Sequence, residues 1–353
     1  MSINYPPKLD LAYLPSPLQP MRRLSKILAD RIHGAQIWIK RDDLTGSATG
    51  GNKVRKLEFL LAQALAERAD VIITCGGIQS NHCRATALLA AQLGLKCHLL
   101  LRQDSPFNGE GNLIFNHLAN AEMTVIEKPR YVKAFDAIKN EVLQHYRQQG
   151  QRPFFIPTGG SNSTGLWGYI QCVNELLKQC RQFHLNPDYI VHATGSGGTQ
   201  AGLMVGQILY EMKTTIAGVM VCDDAAYFTT KISSDVKAFI DAYQDYCEPT
   251  LISRLLAEID SPSLPTALID GYIGPGYAKG YDALFETINL VSRHEGIVLD
   301  PVYSGKAFHG LINELENGCL AGAKQVVFIH TGGLFGIYPF TSQLITASKR
   351  NPH

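Results

Sequence analysis

Four times along this chain a short run of apolar and β-branched residues ends in a glycine-rich turn, and each time an amphipathic stretch follows. CGGIQSNHC follows Val71–Thr74, TGGSNSTG follows Phe154–Pro157, ATGSGGTQAG follows Tyr189–His192, and HTGGLFG follows Val326–Ile329. Such short continuous runs read as strands buried on both faces, and strands separated by helix-length segments pair in parallel. Candidate strands are Gln36–Lys40, Val71–Cys75, Cys97–Leu101, Thr124–Glu127, Phe154–Pro157, Tyr189–Ala193, Ile216–Cys222 and Val326–His330. Candidate helices are Lys53–Arg68, Asn81–Leu93, Gly109–Ala119, Tyr131–Gln149, Thr164–Gln182, Thr199–Glu211, Asp235–Ala242, Thr250–Glu258, Tyr277–His294, Gly305–Asn317 and Gly336–Ala347. The alternation predicts an α/β fold: open, twisted, mostly parallel sheets covered by helices on both faces. At roughly 100–200 residues per domain, 353 residues predict two domains.

In open α/β sheets, ligands bind beyond the carboxyl ends of the strands. Four small loops rich in backbone N–H groups at that edge predict a cleft that grips an anion. In ATGSGGTQAG, Gly195, Gly197 and Gly198 permit close backbone approach, while Ser196 and Thr199 add hydroxyl donors. A helix starting at Thr199 turns its positive end to the same spot. The segment reads as a phosphate cup. It is no Walker A loop, lacking Gly-Lys-Ser/Thr, and Gln200 stands where the third glycine of GxGxxG belongs. A dinucleotide site, with Asp223 as its ribose-binding acid, and a plain tight turn are the alternatives.

The segment Gly46–Lys56, GSATGGNKVRK, misses a nucleotide-binding loop in the same way: Asn52 separates Gly51 from the lysine, and Val54 replaces the magnesium-binding hydroxyl. Lys53 suits another role. It opens a helix whose dipole disfavours an ammonium, and Arg55 and Lys56 act in the same direction. A lysine of lowered pKa is what Schiff-base chemistry requires, whereas an ordinary lysine is a solvated surface charge.

Bulk properties exclude several classes. Hydrophobic residues make up 45% and charged residues 18%, as in globular proteins with a substantial core. A formal net charge of +1 gives no basis for a nucleic-acid or membrane-surface partner. No apolar run reaches the ~18 residues that span a bilayer. The opening MSINYPPKLDLAYLPSPLQPMRRL lacks a basic segment followed by an apolar one, so no secretory signal is expected and a cytoplasmic setting is. The eight cysteines form no CxxC and read as reduced, buried thiols; no metal is expected.

Taken in order, GGNKVRKLEFL, GGIQSNHCR, IPTGGSNSTG, ATGSGGTQAG, LDPVYSGKA and IHTGG resemble the D-cysteine desulfhydrase and 1-aminocyclopropane-1-carboxylate deaminase family. These are fold-type-II pyridoxal-phosphate enzymes, similar to the tryptophan synthase β chain. The resemblance runs from about Leu11 to Tyr338. It implies pyridoxal 5'-phosphate as cofactor and Lys53 as the Schiff-base lysine. Asn52, Asn81, Thr331 and the loop Gly195, Ser196, Gly197, Gly198 and Thr199 would hold the cofactor, with Ser304 beside its pyridine nitrogen. Ser80, Asn81 and His82 would surround the substrate carboxylate, Ser161 would also bind the substrate, and Tyr277 and Tyr303 would face it; Ser80, Tyr277 and Tyr303 join Lys53 as catalytic candidates. The implied architecture is a small α/β domain, residues 56–165, inserted into a large cofactor-binding domain made of 1–55 and 166–353. Family members are usually homodimers acting on small amino acids.

Three positions bear on the reaction. Ser304 stands where cyclopropane deaminases carry a glutamate, His82 where they carry glutamine, and Leu334-Phe335-Gly336 where desulfhydrases show Ala-Pro-Ala. A hydroxyl stabilises a ring proton far less than a carboxylate does, so the cofactor is expected to be a weaker electron sink. Opening a cyclopropane needs a strong sink; expelling a good leaving group from Cβ does not. The expected reaction is therefore α,β-elimination, with D-cysteine the first substrate. L-Cysteate and β-chloroalanine are further candidates, and aminocyclopropane-carboxylate deamination is the alternative. The change at Phe335 is expected to alter the pocket wall.

Overall fold

The computed structural model describes residues 3–104, 109–259 and 267–350. The elements run β1 (Leu18–Pro20), α1 (Arg22–Ile27), β2 (Gln36–Lys40), α2 (Asn52–Ala66), β3 (Val71–Gly77), α3 (Asn81–Gln92), β4 (Lys96–Gln103), α4 (Asn112–Leu118), β5 (Glu122–Glu127), α5 (Lys128–Gln148) and β6 (Pro153–Ile156). They continue as α6 (Ser163–Gln182), β7 (Tyr189–Thr194), α7 (Gly198–Leu209), β8 (Thr215–Met220), α8 (Ala225–Tyr243), α9 (Pro249–Ile259), β9 (Ala267–Ile269), α10 (Asp282–Glu295), α11 (Ser304–Asn317), β10 (Gln325–Ile329) and α12 (Thr341–Arg350).

Two sheets result. One has the order β1-β2-β10-β7-β8-β9, parallel throughout except for the antiparallel edge strand β1. The other has the order β5-β4-β3-β6, is parallel, and is built from residues lying between β2 and β7 of the first. Their central strands, such as VIITC in β3 and QVVFI in β10, are buried almost end to end. This is why they carry continuous apolar runs instead of alternation.

Several elements differ from the sequence reading. The expected helix from Tyr277 starts instead at Asp282, because Gly276 (φ +135°) and Ala278 (φ +53°) hold Tyr277 in an irregular loop. Helix α4 begins at Asn112 because Gly109 and Gly111 adopt positive φ. Helix α8 begins ten residues earlier than Asp235, where Asp224 caps it by accepting from the Tyr227 N–H. The short β1, α1 and β9 gave no periodic signal at all.

Helix α2 sits between the two halves of the molecule. Phe59 packs into the core with Trp167 and Phe239, while Leu57, Leu60 and Leu61 pack into the core beneath β3 and β4. On a third side, buried Arg55 donates to both oxygens of Asp42, at 2.7 and 2.9 Å, and to Glu175 at 3.0 Å. Tyr169 donates to Asp42 at 2.7 Å, and Lys40 pairs with Glu175. Burial alone would raise the Asp42 pKa; the adjoining Arg55 guanidinium holds it below the usual value instead. The helix that opens with Lys53 is thus fixed by packing on two sides and by ion pairs on another.

Candidate active site

A cleft of about 650 Å³ opens at the carboxyl ends of both sheets, walled by the glycine-rich turns after β3, β6, β7 and β10. Lys53 lines it as the second residue of α2. The Gly-Gly-Asn lead-in explains its placement. Gly51 has φ +126°, and a Cβ there would lie 2.8 Å from the Thr331 carbonyl oxygen, so only glycine makes this approach. The next amide, Asn52 N–H, then donates to that carbonyl at 3.0 Å. The start of α2 is thereby stitched to the turn after β10, and Lys53 faces inward with Thr331 beside it.

Burial lowers the Lys53 pKa from 10.5 to about 8, with Cys222 pulling weakly the other way. Arg55, expected to contribute, spends its charge on Asp42 and Glu175. Desolvation is the main cause, where the sequence suggested a helix dipole and neighbouring charges.

The loop after β7 lies against the same amine. A Cβ on Gly159 would meet Ser196 Oγ at 2.4 Å and Lys53 Nζ at 3.3 Å, so the hydroxyl and the amine face one another across that glycine. Gly197 adopts φ +79° as the cap of α7. Gly195, Ser196, Gly197 and Thr199 line the cleft; Gly198 does not, because its N–H donates to Ser161 Oγ at 3.2 Å. Ser161 in turn donates to Ser196 at 3.0 Å, and Asn52 Nδ2 donates to Thr199 Oγ1 at 3.1 Å. Lys231 on α8 packs over Gly197 and pairs with Asp235. It adds positive charge at the cup, and the sequence reading missed it by starting α8 too late.

Helix α3 brings Ser80, Asn81 and His82 to the opposite wall. Ser80 caps the helix, its Oγ accepting from the Cys83 N–H at 3.2 Å. Asn81 Oδ1 accepts from Arg84 at 3.0 Å and from Asn112 at 2.9 Å, which leaves the two amide protons of Asn81 for the cleft. Thr74 gives its hydroxyl proton to the Ile156 carbonyl, so His82 Nε2 is the donor in the 2.8 Å contact between His82 and Thr74. His82 Nδ1 is then an acceptor, buried without a protein partner. Burial first, then Lys53 and Lys56, press the His82 pKa well down, so the ring is neutral and offers a carboxylate no charge.

Tyr277 and Tyr303 meet at the cleft with their hydroxyls 2.7 Å apart. The Tyr277 ring lies under Arg102, whose guanidinium carbon is 5.3 Å from the ring centroid. Burial raises Tyr277 to about 12, tempered by Tyr303 and Arg102, and raises Tyr303 well above the usual phenol value. Both phenols carry their protons at neutral pH.

Two expected positions lie elsewhere. Ser304 is fully buried behind Tyr303 and does not line the cleft; its hydroxyl donates to Asp300 at 2.6 Å, as part of a cap that also takes the N–H groups of Val302, Tyr303 and Ser304. Phe335 is likewise absent from the cleft wall. It packs on Phe115, ring centroids 4.3 Å apart, and under Arg84, closing the seam between the α3–α4 layer and the turn after β10. Arg102, Tyr131 and Cys222 line the cleft unforeseen, because nothing local in the sequence marks them. Among the described residues no cluster of metal-ligating side chains occurs, no disulfide forms, and no helix is long and apolar enough to cross a membrane.

A buried amine of lowered pKa beside a helix-capped loop of backbone donors, at the carboxyl edge of parallel sheets, fits a phosphorylated aldehyde. The fold and site thus define an α/β enzyme whose cleft suits such a cofactor. The chain belongs to the pyridoxal-phosphate dependent enzyme family, whose model matches residues 9–332. It is 40% identical, over 95% of its length and 80% of the relative's, to a mitochondrial bifunctional D-cysteine desulfhydrase/1-aminocyclopropane-1-carboxylate deaminase of Arabidopsis thaliana. It is 37% identical, over 96% of its length and 97% of the relative's, to a D-cysteine desulfhydrase of Serratia proteamaculans. A crystal structure of an ACC deaminase homologue superposes with a TM-score of 0.82 at 33% identity, covering 97% of this chain and 96% of that one. The chain is a pyridoxal-phosphate-dependent lyase.

Proposed function

We propose that this enzyme catalyses α,β-elimination from a small β-substituted amino acid, D-cysteine first, so that D-cysteine and water give pyruvate, ammonia and hydrogen sulfide. The observation that supports this reading most directly is convergence: the Lys53 amine, the cup at Gly195–Thr199 and the paired hydroxyls of Tyr277 and Tyr303 share one cleft.

Bound pyridoxal phosphate supplies an aldehyde carbon for the amines and an electron sink for the pair left at Cα. Lys53, Asn52, Thr331 and the cup would hold it, Lys53 through its amine and the cup through backbone N–H groups. The Asn81 amide protons would donate to its ring oxygen, and Lys231 would offset the phosphate charge. Ser80 and the N-terminal amides of α3 would bind the substrate carboxylate with Ser161 nearby, His82 shaping the wall as a neutral ring. Once displaced by the substrate amine, Lys53 Nζ is an uncharged base and takes the Cα proton. Tyr277, whose ring lies under Arg102, delivers a proton to the departing sulfur, and its hydrogen bond with Tyr303 holds it in place.

Among the described residues Asp223 is the one carboxylate that lines the cleft, and Ser304 is spent on Asp300. That supports a modest electron sink, which suits loss of hydrosulfide better than opening a cyclopropane. The names of the relatives favour a second reading, deamination of 1-aminocyclopropane-1-carboxylate to 2-oxobutyrate and ammonia. L-Cysteate and β-chloroalanine fit the elimination chemistry as further substrates. The test is a panel in which sulfide, pyruvate and 2-oxobutyrate are measured separately. Pyruvate with equimolar sulfide from D-cysteine is expected; faster 2-oxobutyrate release from the cyclopropane would overturn the choice. The same reading includes a cytoplasmic homodimer, tested by sedimentation and by fractionation.

A further inference from the structure

We infer that Lys306 is a positioning residue for Tyr277: buried on α11, it ties down the loop that carries this tyrosine and so sets the contact between Tyr277 and Tyr303. The inference rests on the functional reading above. Residues 270–281 have no regular structure, and Gly271, Gly274, Gly276 and Ala278 all adopt positive φ. A sequence of that kind, DGYIGPGYAKGY, has little intrinsic order. Among the described residues, one backbone hydrogen bond falls inside it, from Lys279 N to Gly276 O at 3.2 Å.

Tyr281 O–H reaches the Tyr272 carbonyl at 3.4 Å and Arg102 covers the Tyr277 ring, but the buried polar ties on the middle of the loop come from α11. Lys306, with no accessible surface, donates through Nζ to the Ile273 carbonyl at 2.6 Å and to the Gly276 carbonyl at 2.8 Å. The second carbonyl belongs to the peptide plane that carries the Tyr277 amide. Farther along the same helix, Glu314 accepts from Tyr272 at 2.7 Å, and the Gly310 backbone lies against the Tyr272 ring. The helix also starts at its cap with Tyr303. One rigid element therefore carries one tyrosine directly and the other through a tether three residues away. Burying an ammonium is unfavourable unless it is matched by acceptors. Here the match is two carbonyls of an otherwise loose loop.

The test uses the holoenzyme and Lys306→Met, with Lys306→Gln in the same assays should the first not accumulate as folded protein. Hydrogen–deuterium exchange over residues 271–280 is expected to rise about tenfold or more, exchange elsewhere staying level. Cofactor absorbance should be retained, and kcat should fall about tenfold or more with KM within about threefold. In a Tyr277→Phe background, Lys306→Met should change kcat less than about threefold, because its effect passes through that hydroxyl. Unchanged loop exchange, or full additivity with Tyr277→Phe, overturns the inference even if the wild type eliminates sulfide. A wild type without lyase products overturns the functional reading, and the exchange data still decide whether Lys306 holds the loop.

Discussion

The hydroxyls of Tyr277 and Tyr303 stand 2.7 Å apart, one on an irregular loop and the other at the cap of α11. A hydrogen bond between two phenols makes the accepting one a better acid, and Arg102 over the Tyr277 ring acts in the same sense. Acting as one unit, the pair should lose function as one unit. Tyr277→Phe is expected to lower kcat about 10–100-fold with little change in KM, and Tyr303→Phe somewhat less. The double variant should be no slower than Tyr277→Phe alone. Steady-state kinetics on the three proteins checks this, and additive losses would show that the hydroxyls act separately.

Lys53 should make cofactor capture depend on pH. With its pKa lowered to about 8, about a tenth of the amine is uncharged at pH 7, against about three in ten thousand for a lysine at 10.5. The rate at which apo-protein gains the visible absorbance of the lysine–cofactor bond should climb about tenfold per pH unit up to about pH 8 and then level. Because the folded pKa lies below the unfolded one, charge on Lys53 penalises the fold most at pH values under 8, and the penalty fades as pH rises through 8 toward 10.5. Lys53→Met should thus raise the apo-protein's melting temperature at pH 7 by more than at pH 10, while abolishing capture. An equal shift at both pH values would exclude this origin.

Much of this was legible in the chain because glycine signals are local. CGGIQSN, TGGSN and TGSGGT each announce a strand end that must turn sharply, GGNK announces the helix that carries Lys53, and each contributes residues to the cleft. Most of what failed was decided at a distance. Tyr277 is the exception: Gly274-Pro275-Gly276 before it and Gly280 after it are local breaking signals that the expected helix from Tyr277 overrides, and in the fold Gly276 and Ala278 adopt positive φ while α11 holds the loop. The cause of the Lys53 shift is not visible locally because Arg55, two residues away, is drawn to Asp42, in the turn after β2, and to Glu175 on α6. Ser304, which the resemblance sets beside the pyridine nitrogen, gives its hydroxyl to the Asp300 cap, a partner no local pattern announces.

That cap leads to a prediction about Ser304. Its hydroxyl donates to Asp300 at 2.6 Å and accepts from the Asp300 N–H at 2.9 Å. Ser304→Ala should cost about 1–3 kcal/mol of stability by leaving these groups unmatched, while the ratio of sulfide to 2-oxobutyrate stays constant. Ser304→Glu places a second carboxylate against a buried one whose pKa burial already raises, and should cost more than Ser304→Ala. Denaturant titration of both variants measures this. A stable Ser304→Glu enzyme with a shifted product ratio would mean that this side chain reaches the cofactor after all.

Arg55 should be needed for folding and not for chemistry. Its guanidinium has no exposed surface and satisfies two carboxylates from different elements, with Tyr169 and Ser16 completing the shell around Asp42. Removing it leaves Asp42 charged, buried and unpaired, so Arg55→Met should cost about 3–5 kcal/mol. Removing Asp42 as well relieves that stranded charge. An Arg55→Met, Asp42→Asn double variant should therefore recover part of the loss in spite of carrying two changes. If the cluster only fixes the back of α2, whatever folded protein remains should bind cofactor and turn over within about threefold of wild type, since Lys53 is held independently by Gly51 and the Thr331 carbonyl. A folded Arg55→Met enzyme that fails to capture cofactor would show that the ion pairs set the Lys53 position itself.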